Sequence, residues 1–338
     1  MHNGRMKKIL ITGGAGFLGR HLSRRYAEAG WRVTALDDLS STNSSFQVPQ
    51  LQHPSIQCVH GSTLDSAPLS ALVEDHPVVV HFASPVGVGD TIDDPIETAR
   101  NLTGTLHLVD ALTPDHTVLF GSSADVYGMH SRLHGGAPMG EDDDVVFEHA
   151  DVKRWIYPKI KSVEENVIAA SPARSVTVRI FNCVGPGMDY PDAKRVVPRF
   201  LRAIELGEPL RLSGSGAQAR SFSYYTDTLD GVERALAYAA AGAPGSAGAF
   251  NIGNDQPVSI AALAERMNRL AVELGVIARP LPILPGENLY TQPFRDDWDR
   301  VPALDRARRV LGFQPRVPLD DALRLTIASL LEPALSHA

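Results

Sequence analysis

The stretch KKILITGGAGFLGR, residues 7–20, decides the fold of this 338-residue chain. It opens with a compact β-forming run, continues through closely spaced glycines, and leads into an amphipathic segment that extends from Gly16 to Gly30. A second apolar run covers residues 32–36, so about thirty residues carry a strand-turn-helix-strand pattern. This pattern predicts the first unit of a parallel sheet.

Short apolar runs recur along the chain and are separated by segments with helical spacing. The runs cover residues 56–60, 78–82, 118–120 and 176–181, and the helix-like segments cover residues 96–112, 159–170 and 196–206. Alternation of this kind predicts an α/β fold with a doubly wound parallel sheet. The pattern changes after residue 182, which predicts a first domain over residues 1–182, a return to it near residues 226–253, and a smaller lobe formed mainly by residues 183–338.

Composition excludes several classes of protein. Hydrophobic residues make up 43% of the chain and charged residues 21%, as in an ordinary globular protein. The net charge of -7 leaves no excess of cations, so neither nucleic acid nor an anionic membrane is expected as a partner. Two cysteines are too few for a disulfide framework, no apolar stretch approaches a signal peptide core or a membrane span, and the histidines lack metal-ligand spacing. We expect a cytoplasmic protein without a metal.

The glycine-rich turn has the sequence context of a dinucleotide site. Gly13 permits a tight turn, Gly16 lets the backbone approach a phosphate, and Gly19 allows close packing of helix on strand. Asp37 ends the second predicted strand, where a carboxylate accepts hydrogen bonds from an adenosine ribose and repels a 2′-phosphate. The two features together favour NAD over NADP. Asp65 is a further candidate near the adenine, with a solvated loop carboxylate as the alternative.

Tyr157 and Lys161 are four residues apart and therefore lie on one face of a predicted helix. Pro158 is tolerated only in a first helical turn, which places Tyr157 near the helix start. A cation about 4–5 Å from a phenol contributes about 3–4 kcal/mol at an effective dielectric of about 20, which would bring the phenol pKa towards neutrality. Tyr157 is thus a candidate base with Lys161 as its activating cation.

Ser123 follows a predicted strand and is a candidate partner of Tyr157. Active-site groups in doubly wound sheets gather at the carboxyl ends of the strands, beside the nucleotide crevice. We therefore expect the Ser123 hydroxyl to bind the substrate oxygen from which Tyr157 takes a proton. Tyr127 in the same run is expected to pack rather than react.

Taken together, these motifs resemble the extended short-chain dehydrogenase/reductase family, which comprises NAD-dependent nucleotide-sugar epimerases, dehydratases and decarboxylases. The matching runs are residues 12–19, residues 81–85, Asn101 with Gly104 and Thr105, residues 122–128, Tyr157 with Lys161, residues 179–182 with Gly185 and Pro186, residues 214–227, and residues 311–315. The resemblance covers almost the whole chain and implies a Rossmann-type domain followed by a smaller C-terminal lobe that binds the sugar nucleotide.

The resemblance also implies roles for individual residues. Phe17, Leu18, Ala83 and Asn101 join the glycine loop, Tyr157 and Lys161 in holding NAD. Asn182 and Arg220 match positions that contact the diphosphate of a sugar nucleotide, for which a bidentate arginine is well suited. The family further implies a homodimer formed through the helices near residues 102–112 and 159–170.

Residues 123–125 narrow the reaction within the family. The 4,6-dehydratases usually carry an Asp-Glu pair where this chain has Ala124 and Asp125, and alanine has no proton to give a departing hydroxyl. Galactose-type epimerases are similar to this run but have threonine in place of Asp125, a carboxylate that they do not need. UDP-glucuronate decarboxylases carry Thr-Ser-Glu, which Ser123, Ala124 and Asp125 match in kind.

Two further motifs favour decarboxylation. The run RWIY, residues 154–157, resembles the bacterial decarboxylase that supplies aminoarabinose for lipid A and the plant apiose/xylose synthases. That group uses an arginine of an Arg-x-Pro segment for the substrate carboxylate and the protonation step, and residues 300–302 match it. The resemblance therefore implies a UDP-glucuronate decarboxylase in which Ser123, Asp125, Tyr157, Lys161 and Arg300 are the catalytic residues.

The implied reaction oxidises C4 of UDP-glucuronate, releases CO2 and returns hydride to give UDP-xylose, or releases a 4-keto pentose early. Tyr157 removes the 4-hydroxyl proton, and Arg300, Asp125 or a water between them protonates C5. Guanidinium is a weak acid, so Arg300 is interpreted first as a carboxylate anchor. Two alternatives remain: a UDP-sugar 4-epimerase acting on UDP-glucuronate or UDP-glucose, and a non-catalytic NAD-binding protein.

Overall fold

The computed structural model describes residues 7–41, 44–84, 94–188, 195–286 and 299–331. Within these residues the strands are β1 (Lys8–Thr12), β2 (Arg32–Asp37), β3 (Ile56–His60), β4 (Val78–His81), β5 (Thr117–Ser123), β6 (Arg174–Ile180), β7 (Cys183–Val184), β8 (Leu210–Ser213), β9 (Ala219–Arg220), β10 (Ser223–Tyr224), β11 (Gly245–Ile252), β12 (Val258–Ser259) and β13 (Ile283–Gly286).

The helices alternate with the strands of the main sheet. They are α1 (Phe17–Glu28), α2 (Ser66–Asp75), α3 (Pro95–Ala111), α4 (His130–Leu133), α5 (Ile156–Ala169), α6 (Val196–Leu206), α7 (Tyr225–Ala241), α8 (Ile260–Glu273) and α9 (Leu319–Ala328). Short 3₁₀ helices cover Ala124–Tyr127 and Lys153–Trp155, directly before parts of the candidate site. None of the helices in the described ranges is long and apolar enough to cross a bilayer.

Seven strands form one parallel sheet in the order β11-β6-β5-β4-β1-β2-β3. Strand β1 pairs with β2 on one side and β4 on the other, so the direction in which strands are added reverses at β1. A crevice forms at such a switch point, outside the carboxyl ends of the strands. This sheet confirms the predicted Rossmann-type α/β fold.

Separate apolar clusters cover the two faces of the sheet. One includes Ile9, Val80 and Leu119 together with buried residues of α7 and β11, and the other includes Leu10, Val79 and Phe120. Successive residues of a strand point to opposite faces, which explains why neighbouring positions enter different clusters. Both faces of the strands are therefore buried, as the continuous apolar runs predict.

A third cluster lies among the elements that follow residue 183. It is built from α6, α8 and α9 with short strands, and includes Val197, Phe200, Leu263, Met267 and Leu323. The strands here pair as three two-stranded sheets: β7 with β10, β8 with β13, and β9 with β12. The sequence did not predict these short pairs. They nevertheless matter, because β9 and the segment beside it bring two arginines to the crevice.

Candidate active site

The glycine loop joins β1 to α1 at the switch point. Gly13 has a φ of +68°, and a side-chain carbon there would lie 2.8 Å from the Ala83 backbone nitrogen. At Gly19 such a carbon would lie 2.0 Å from the Gly13 carbonyl oxygen. Gly16 caps α1 without any side-chain cap, which leaves the first N–H groups of this helix available to an anion. The loop therefore has the geometry of a phosphate cradle.

Asp37 stands beside this cradle at the end of β2. Its Oδ2 accepts a hydrogen bond from the Ala15 N–H and its Oδ1 one from the Leu39 N–H, each at 2.9 Å. Burial raises the pKa of the Asp37 carboxyl above its ordinary value, against the lowering effect of the hydrogen bonds from Leu39 and Ala15. The backbone thus fixes this carboxylate next to the loop, as a ribose-binding role requires, and the residues present fit a dinucleotide.

The other predicted cofactor residues lie around the crevice at different depths. Phe17 and Leu18 open α1 and are half-buried. Ala83 donates its N–H to Thr12 Oγ1 at 3.2 Å, and Asn101 Nδ2 donates to Ser84 Oγ at 3.3 Å, so both lie near the end of β4. Asp65 is exposed before α2 and makes no capping bond with its side chain. Pro85, the last residue of the matching run, lies outside the described residues.

Ser123 and Tyr157 meet at the carboxyl end of β5. Ser123 is the last residue of that strand, and its hydroxyl accepts a hydrogen bond from the Asp125 N–H at 3.2 Å. It also hydrogen-bonds the Tyr157 hydroxyl, which the second residue of α5 carries. Pro158 follows in the first turn of α5, as predicted from its missing N–H. The structure therefore brings the candidate base and its hydroxyl partner together.

The ionisation of Tyr157 differs from the sequence-based expectation. Burial, followed by the charges of Asp125 and Glu164, raises the pKa of the phenol above its ordinary value, and the lowering effects of Ser123 and Arg195 are smaller. Lys161 was expected to lower this pKa towards neutrality. In the structure the Lys161 ammonium lies 3.2 Å from a Glu164 carboxylate oxygen. The negative charge of Glu164 therefore offsets the effect of Lys161 on the phenol.

Lys161 itself is buried beneath the strand ends. Only 2% of the residue is exposed, its Nζ donates to the Gly121 carbonyl at 3.3 Å, and it lies over the Phe120 ring at 4.5 Å from the ring centre. Glu164 is completely buried, three residues further along α5. The i,i+3 spacing explains why the two side chains meet on one helix face. Together they form what we call the buried pair, Lys161 and Glu164.

A second group of charges includes Asp125, which also acts on Tyr157. Asp125 Oδ1 is 2.7 Å from Arg300 Nη1 and 3.3 Å from Arg154 Nη2. Burial alone would raise the pKa of the Asp125 carboxyl, but the charges of Arg154 and Arg300 outweigh burial and hold it at about 2. We call Asp125, Arg154 and Arg300 the arginine cluster. With one carboxylate and two guanidinium groups, it carries a net positive charge.

Backbone contacts fix the segment that brings Arg300 to this cluster. The Arg300 N–H donates to the Ala219 carbonyl at 3.1 Å, and residues 301–303 exchange hydrogen bonds with Met139. Arg220 lies next to Arg300 in a parallel bridge and its charge also acts on Asp125. Two arginines predicted from different motifs therefore converge on one carboxylate, although 80 residues separate them in sequence.

Asn182 is placed just beyond β6, between the main sheet and the smaller lobe. Its Nδ2 donates to the Ser221 carbonyl at 3.0 Å, and its own carbonyl accepts from the Ser223 N–H at 2.9 Å. These bonds lie beside the pairing of β7 with β10. Asn182 is therefore close in space to Arg220, the neighbour of Ser221, although 38 residues separate the two in sequence.

Three charged residues of the site escaped the sequence interpretation as functional positions. Arg154 formed part of the RWIY motif but was given no role, although only 4% of the residue is exposed and it contacts Asp125. Glu164 was not singled out, and a buried i,i+3 partner of Lys161 was its available signal. Arg195 acts on the Tyr157 phenol from the start of α6, for which the sequence offered no signal.

The arrangement can support proton removal and carboxylate binding side by side. A phenol with a hydroxyl partner is acted on by a carboxylate of the buried pair and by one of the arginine cluster, in a sheet whose switch point carries a phosphate cradle. No group of three or more histidine, cysteine, aspartate or glutamate side chains suited to a metal occurs in the described ranges.

Comparison with known proteins agrees with this geometry. The family model described as NAD dependent epimerase/dehydratase family matches residues 9–253. A UDP-N-acetyl-alpha-D-glucosaminuronate decarboxylase of Bacillus cytotoxicus is 30% identical over 326 residues, covering 95% of this chain and 97% of the relative. UDP-glucuronic acid decarboxylase 1 of Xenopus tropicalis is 30% identical over 329 residues, covering 95% of this chain and 71% of the relative.

Solved structures share the fold over nearly the whole chain. MoeE5 in complex with UDP-glucuronic acid and NAD is 26% identical with a TM-score of 0.76, covering 96% of this chain and 99% of that one. A UDP-N-acetylglucosamine 4-epimerase from Methanobrevibacter ruminantium M1 has a TM-score of 0.81 at 20% identity, with 96% and 98% coverage, and shows likeness of fold alone. The chain, with its glycine cradle and its Ser-Tyr-Lys site, belongs to the NAD dependent epimerase/dehydratase family.

Proposed function

We propose that this chain is an NAD-dependent UDP-glucuronate decarboxylase that forms a UDP-4-keto-pentose, UDP-xylose, or both. The observation that carries the proposal is the arginine cluster beside Tyr157. Two guanidinium groups meet at one carboxylate there, and guanidinium is the side-chain group that binds a carboxylate in bidentate geometry, as a uronic acid would require. The same site holds the phenol and the Ser123 hydroxyl that oxidation at C4 requires.

The relatives support this proposal from a separate direction. Two that are 30% identical over about 95% of this chain are named as decarboxylases of UDP-linked uronic acids. MoeE5, at 26% identity, was solved with UDP-glucuronic acid and NAD. A uronate substrate and a dinucleotide thus occur in proteins whose chains align with this one nearly from end to end.

The chain's own residues supply the proton chemistry. NAD, when bound, supplies the acceptor and later the donor of the hydride at C4. Tyr157 takes the proton of the 4-hydroxyl, while Ser123 holds the same oxygen. The resulting ketone is β to the carboxylate, so the C5–C6 bond can break. CO2 leaves, and the electron pair of that bond stays at C5 and is delocalised onto the C4 oxygen. Ser123 and Tyr157 stabilise the negative charge that develops there.

Arg300 and Asp125 take different parts in this mechanism. Arg300 binds the substrate carboxylate, since guanidinium is always charged and suits a carboxylate in bidentate geometry. Asp125 stays ionised because its pKa is held at about 2, so it cannot be a proton store for C5 near neutral pH. We therefore assign Asp125 to orienting Arg300 and Arg154. A water beside Arg300, resupplied with a proton by solvent, would protonate C5, and release at this point gives the 4-keto pentose. Return of hydride to C4, with Tyr157 giving its proton back to the C4 oxygen, gives UDP-xylose.

The binding residues follow from the placement described above. The cradle at the start of α1 would hold the pyrophosphate of NAD, and Asp37 its adenosine ribose. The remaining proposed cofactor contacts are Phe17, Leu18, Asp65, Ala83, Asn101, Tyr157 and Lys161. Asn182 and Arg220, which lie where the smaller lobe meets the sheet, would bind the diphosphate of the sugar nucleotide.

One second substrate is favoured by a specific observation. The relative from Bacillus cytotoxicus is named for UDP-N-acetylglucosaminuronate and aligns over 97% of its own length, whereas the Xenopus relative aligns over 71%. The carboxylate and the 4-hydroxyl are common to both sugars, so Arg300, Ser123 and Tyr157 would act in the same way on either. The acetamido group at C2 then decides between them.

Assembly, domain roles and location complete the proposal. We propose a cytoplasmic homodimer formed through α3 and α5, which pack on each other and expose Leu106 and Val163. Apolar side chains on neighbouring helices suit a second copy of the same face. Residues 1–182, with a return near 226–253, would bind NAD, and residues 183–338 would mainly bind the sugar nucleotide.

A panel of sugar nucleotides tests the function. Purified protein is incubated with NAD and, separately, with UDP-glucuronate, UDP-N-acetylglucosaminuronate, UDP-glucose and UDP-N-acetylglucosamine. The products are separated by chromatography against standards of the 4-epimers and then analysed by mass spectrometry. We expect loss of CO2 from a uronate and no change in the neutral sugars. Conversion to UDP-galacturonate or UDP-galactose without CO2 would establish an epimerase. NAD binding without any conversion would establish a non-catalytic protein.

A further inference from the structure

Glu164 is a fully buried carboxylate to which the mechanism above gives no role. None of its surface is exposed, and its Oε2 lies 3.2 Å from Lys161 Nζ. A charge enclosed in this way is costly unless it is paired and hydrogen-bonded. The Lys161 ammonium pairs with Oε2 by charge, without a hydrogen bond of good geometry, and the other oxygen is hydrogen-bonded.

The second oxygen of Glu164 ends a chain of buried hydrogen bonds. Thr105 Oγ1 on α3 donates to Glu164 Oε1 at 2.7 Å. Thr105 Oγ1 lies 3.1 Å from His81 Nε2, and His81 Nδ1 lies 2.7 Å from Thr12 Oγ1. The Ala83 N–H donates to Thr12 Oγ1 at 3.2 Å. The chain thus runs from Lys161 to the ends of β4 and β1, next to the glycine loop.

The direction of every bond in this chain follows from its two ends. Because Thr105 gives its proton to Glu164, its oxygen must accept the proton of His81 Nε2. His81 Nδ1 is then unprotonated and accepts the proton of the Thr12 hydroxyl, whose oxygen accepts from Ala83. Burial, aided by the Lys161 charge, lowers the pKa of His81 to about 3, so the ring stays neutral as this arrangement requires. In all four bonds the proton is donated in the direction of Glu164, and successive hydrogen bonds in such a chain strengthen one another.

We propose that Glu164 is a positioning residue that holds the Lys161 ammonium in a charge-balanced site and so sets the pH range in which Tyr157 can take a proton. The inference deepens the proposed function, on which it rests for the role of Tyr157 as base. With Glu164 ionised, the buried pair contributes little net positive charge at the phenol. Without that carboxylate, the full charge of Lys161 would favour the phenolate.

The other groups that act on the phenol are accounted for. Asp125 opposes its ionisation from the 3₁₀ helix after β5, while Arg195 at the start of α6 and the Ser123 hydroxyl favour it. Lys161 on α5 and His81 on β4 are the titratable groups in the chain of contacts that ends at Glu164. His81 stays neutral, so Lys161 and Glu164 are the two residues that carry charge in this chain of contacts.

The test replaces the carboxylate by its uncharged isostere. Glu164→Gln keeps an oxygen that can accept from Thr105 and removes the negative charge. Tyrosine ionisation is followed by ultraviolet absorbance during alkaline titration of NAD-saturated protein, and the Tyr157→Phe version of each protein is subtracted to isolate Tyr157. We expect the Tyr157 transition in Glu164→Gln to lie about one pH unit below that of the parent, because one of the charges that oppose ionisation is lost.

The neighbouring carboxylate provides a matched control. Glu165 is on the same helix and is also held in contacts, with Arg179 Nη2 at 2.8 Å and Ser122 Oγ at 2.5 Å, but it does not contact Lys161. Glu165→Gln should leave the Tyr157 transition where the parent has it. If both variants shift the transition equally, or the Tyr157 transition in Glu164→Gln lies at or above that of the parent, the proposal is wrong.

A second variant keeps the test decisive if Glu164→Gln does not fold. Glu164→Met has similar length and needs no hydrogen-bond partner, and the same criterion applies to it. The titration uses no sugar substrate, so it stands apart from the decarboxylase assay. A shifted Tyr157 transition without CO2 release would contradict only the proposed substrate, and CO2 release with an unshifted transition would contradict only the role of Glu164.

Discussion

The arginine cluster and the buried pair both act on one phenol and differ in their make-up. In the cluster a single carboxylate, Asp125, faces the two guanidinium groups of Arg154 and Arg300. In the pair a single carboxylate, Glu164, faces the single ammonium of Lys161. The cluster therefore combines one carboxylate with two cations, and the pair combines one carboxylate with one.

The two groups also differ in how the chain assembles them. The cluster draws on three separate segments that meet at the crevice, whereas the pair occupies one turn of α5 and is sealed by Thr105. A cluster made of separate segments brings guanidinium groups to the crevice, where we propose that the substrate carboxylate binds. A pair closed by its own hydrogen bonds acts only through its charge. The same ion-pair chemistry thus supports binding in one place and adjustment of ionisation in the other.

The largest expected effect comes from the phenol on which both groups act. Tyr157→Phe removes the base while keeping the ring, and we expect turnover to fall at least about thousandfold, since a positioned general base contributes about 10²–10⁴-fold. Rates are measured as product formed from the uronate substrate. NAD affinity, measured by calorimetry, should fall far less than turnover, because Tyr157 is only one of many proposed cofactor contacts. Retained turnover would show that Tyr157 is not the base. The comparison of the arginine cluster with the buried pair would then say nothing about the reaction.

Removing one guanidinium group of the arginine cluster is expected to have the next largest effect on the rate. Arg300→Ala should lower kcat/KM for the uronate about 100-fold, because a desolvated charge pair with the substrate is lost. Affinity for UDP alone should not change. Arg300→Lys should recover only part of the loss, since an ammonium cannot match a carboxylate bidentately.

Arg309 provides the control for this substitution. It is exposed on the helical turn Ala307–Leu311, away from Asp125, and Arg309→Ala should behave as the parent does. If Arg300→Ala and Arg309→Ala give the same kinetics, the cluster does not bind the carboxylate.

Asp37 separates cofactor binding from both charged groups. Asp37→Asn keeps the polar shape and loses the charge, so we expect about tenfold weaker NAD binding and a smaller preference over NADP. Binding is measured by calorimetry with each dinucleotide. The Tyr157 transition of the NAD-saturated variant should match that of the parent. An unchanged NAD affinity would contradict the ribose-binding role.

The smallest expected effect concerns His81, which is linked to the buried pair through Thr105, and the pH dependence of the free energy of unfolding. Burial lowers the pKa of His81 to about 3, so between about pH 6.5 and 3 the unfolded chain binds a proton there that the folded chain does not. Its contribution to stability is therefore complete above about pH 6.5 and is lost as the pH falls. His81→Gln should remove up to about 1.4 kcal/mol per pH unit from the slope of unfolding free energy between pH 6 and 4.5.

Chemical denaturation at several pH values measures this slope. The difference between parent and variant isolates His81 from the other histidines. Parallel curves for the two proteins would mean that His81 is charged in the folded state, which would also break the hydrogen-bond chain that ends at Glu164.

Much of the main sheet could be predicted from the sequence. The run at residues 7–12 became β1 over Lys8–Thr12, and the helix predicted at residues 196–206 is α6 with the same limits. These elements carry long apolar patterns with a clear period. The short pairs β7–β10, β8–β13 and β9–β12 escaped prediction, because strands of two to four residues are too short to show an alternation.

The site was predictable in its motifs but not in its electrostatics. Ser123 and Tyr157 come together because the carboxyl end of β5 and the start of α5 meet at the crevice. The ionisation of Tyr157 depends instead on its own burial and on the charges of Asp125 and Glu164. Glu164 in turn is hydrogen-bonded by Thr105, a residue 59 positions away. In sequence Glu164 is one more charge three residues after a lysine, as on any solvated helix. Only the packing of α3 on α5 reveals that the pair is enclosed.

Release of the carboxylate carbon is the most direct measurement of the central claim. Protein with NAD is incubated with UDP-glucuronate or UDP-N-acetylglucosaminuronate that carries an isotopic label in the carboxylate, and labelled CO2 is collected. The account predicts labelled CO2 from at least one of the two with the parent protein, and a reduction of at least about thousandfold with Tyr157→Phe. Complete retention of the label in the sugar nucleotide of both, under conditions where NAD is bound, would contradict it.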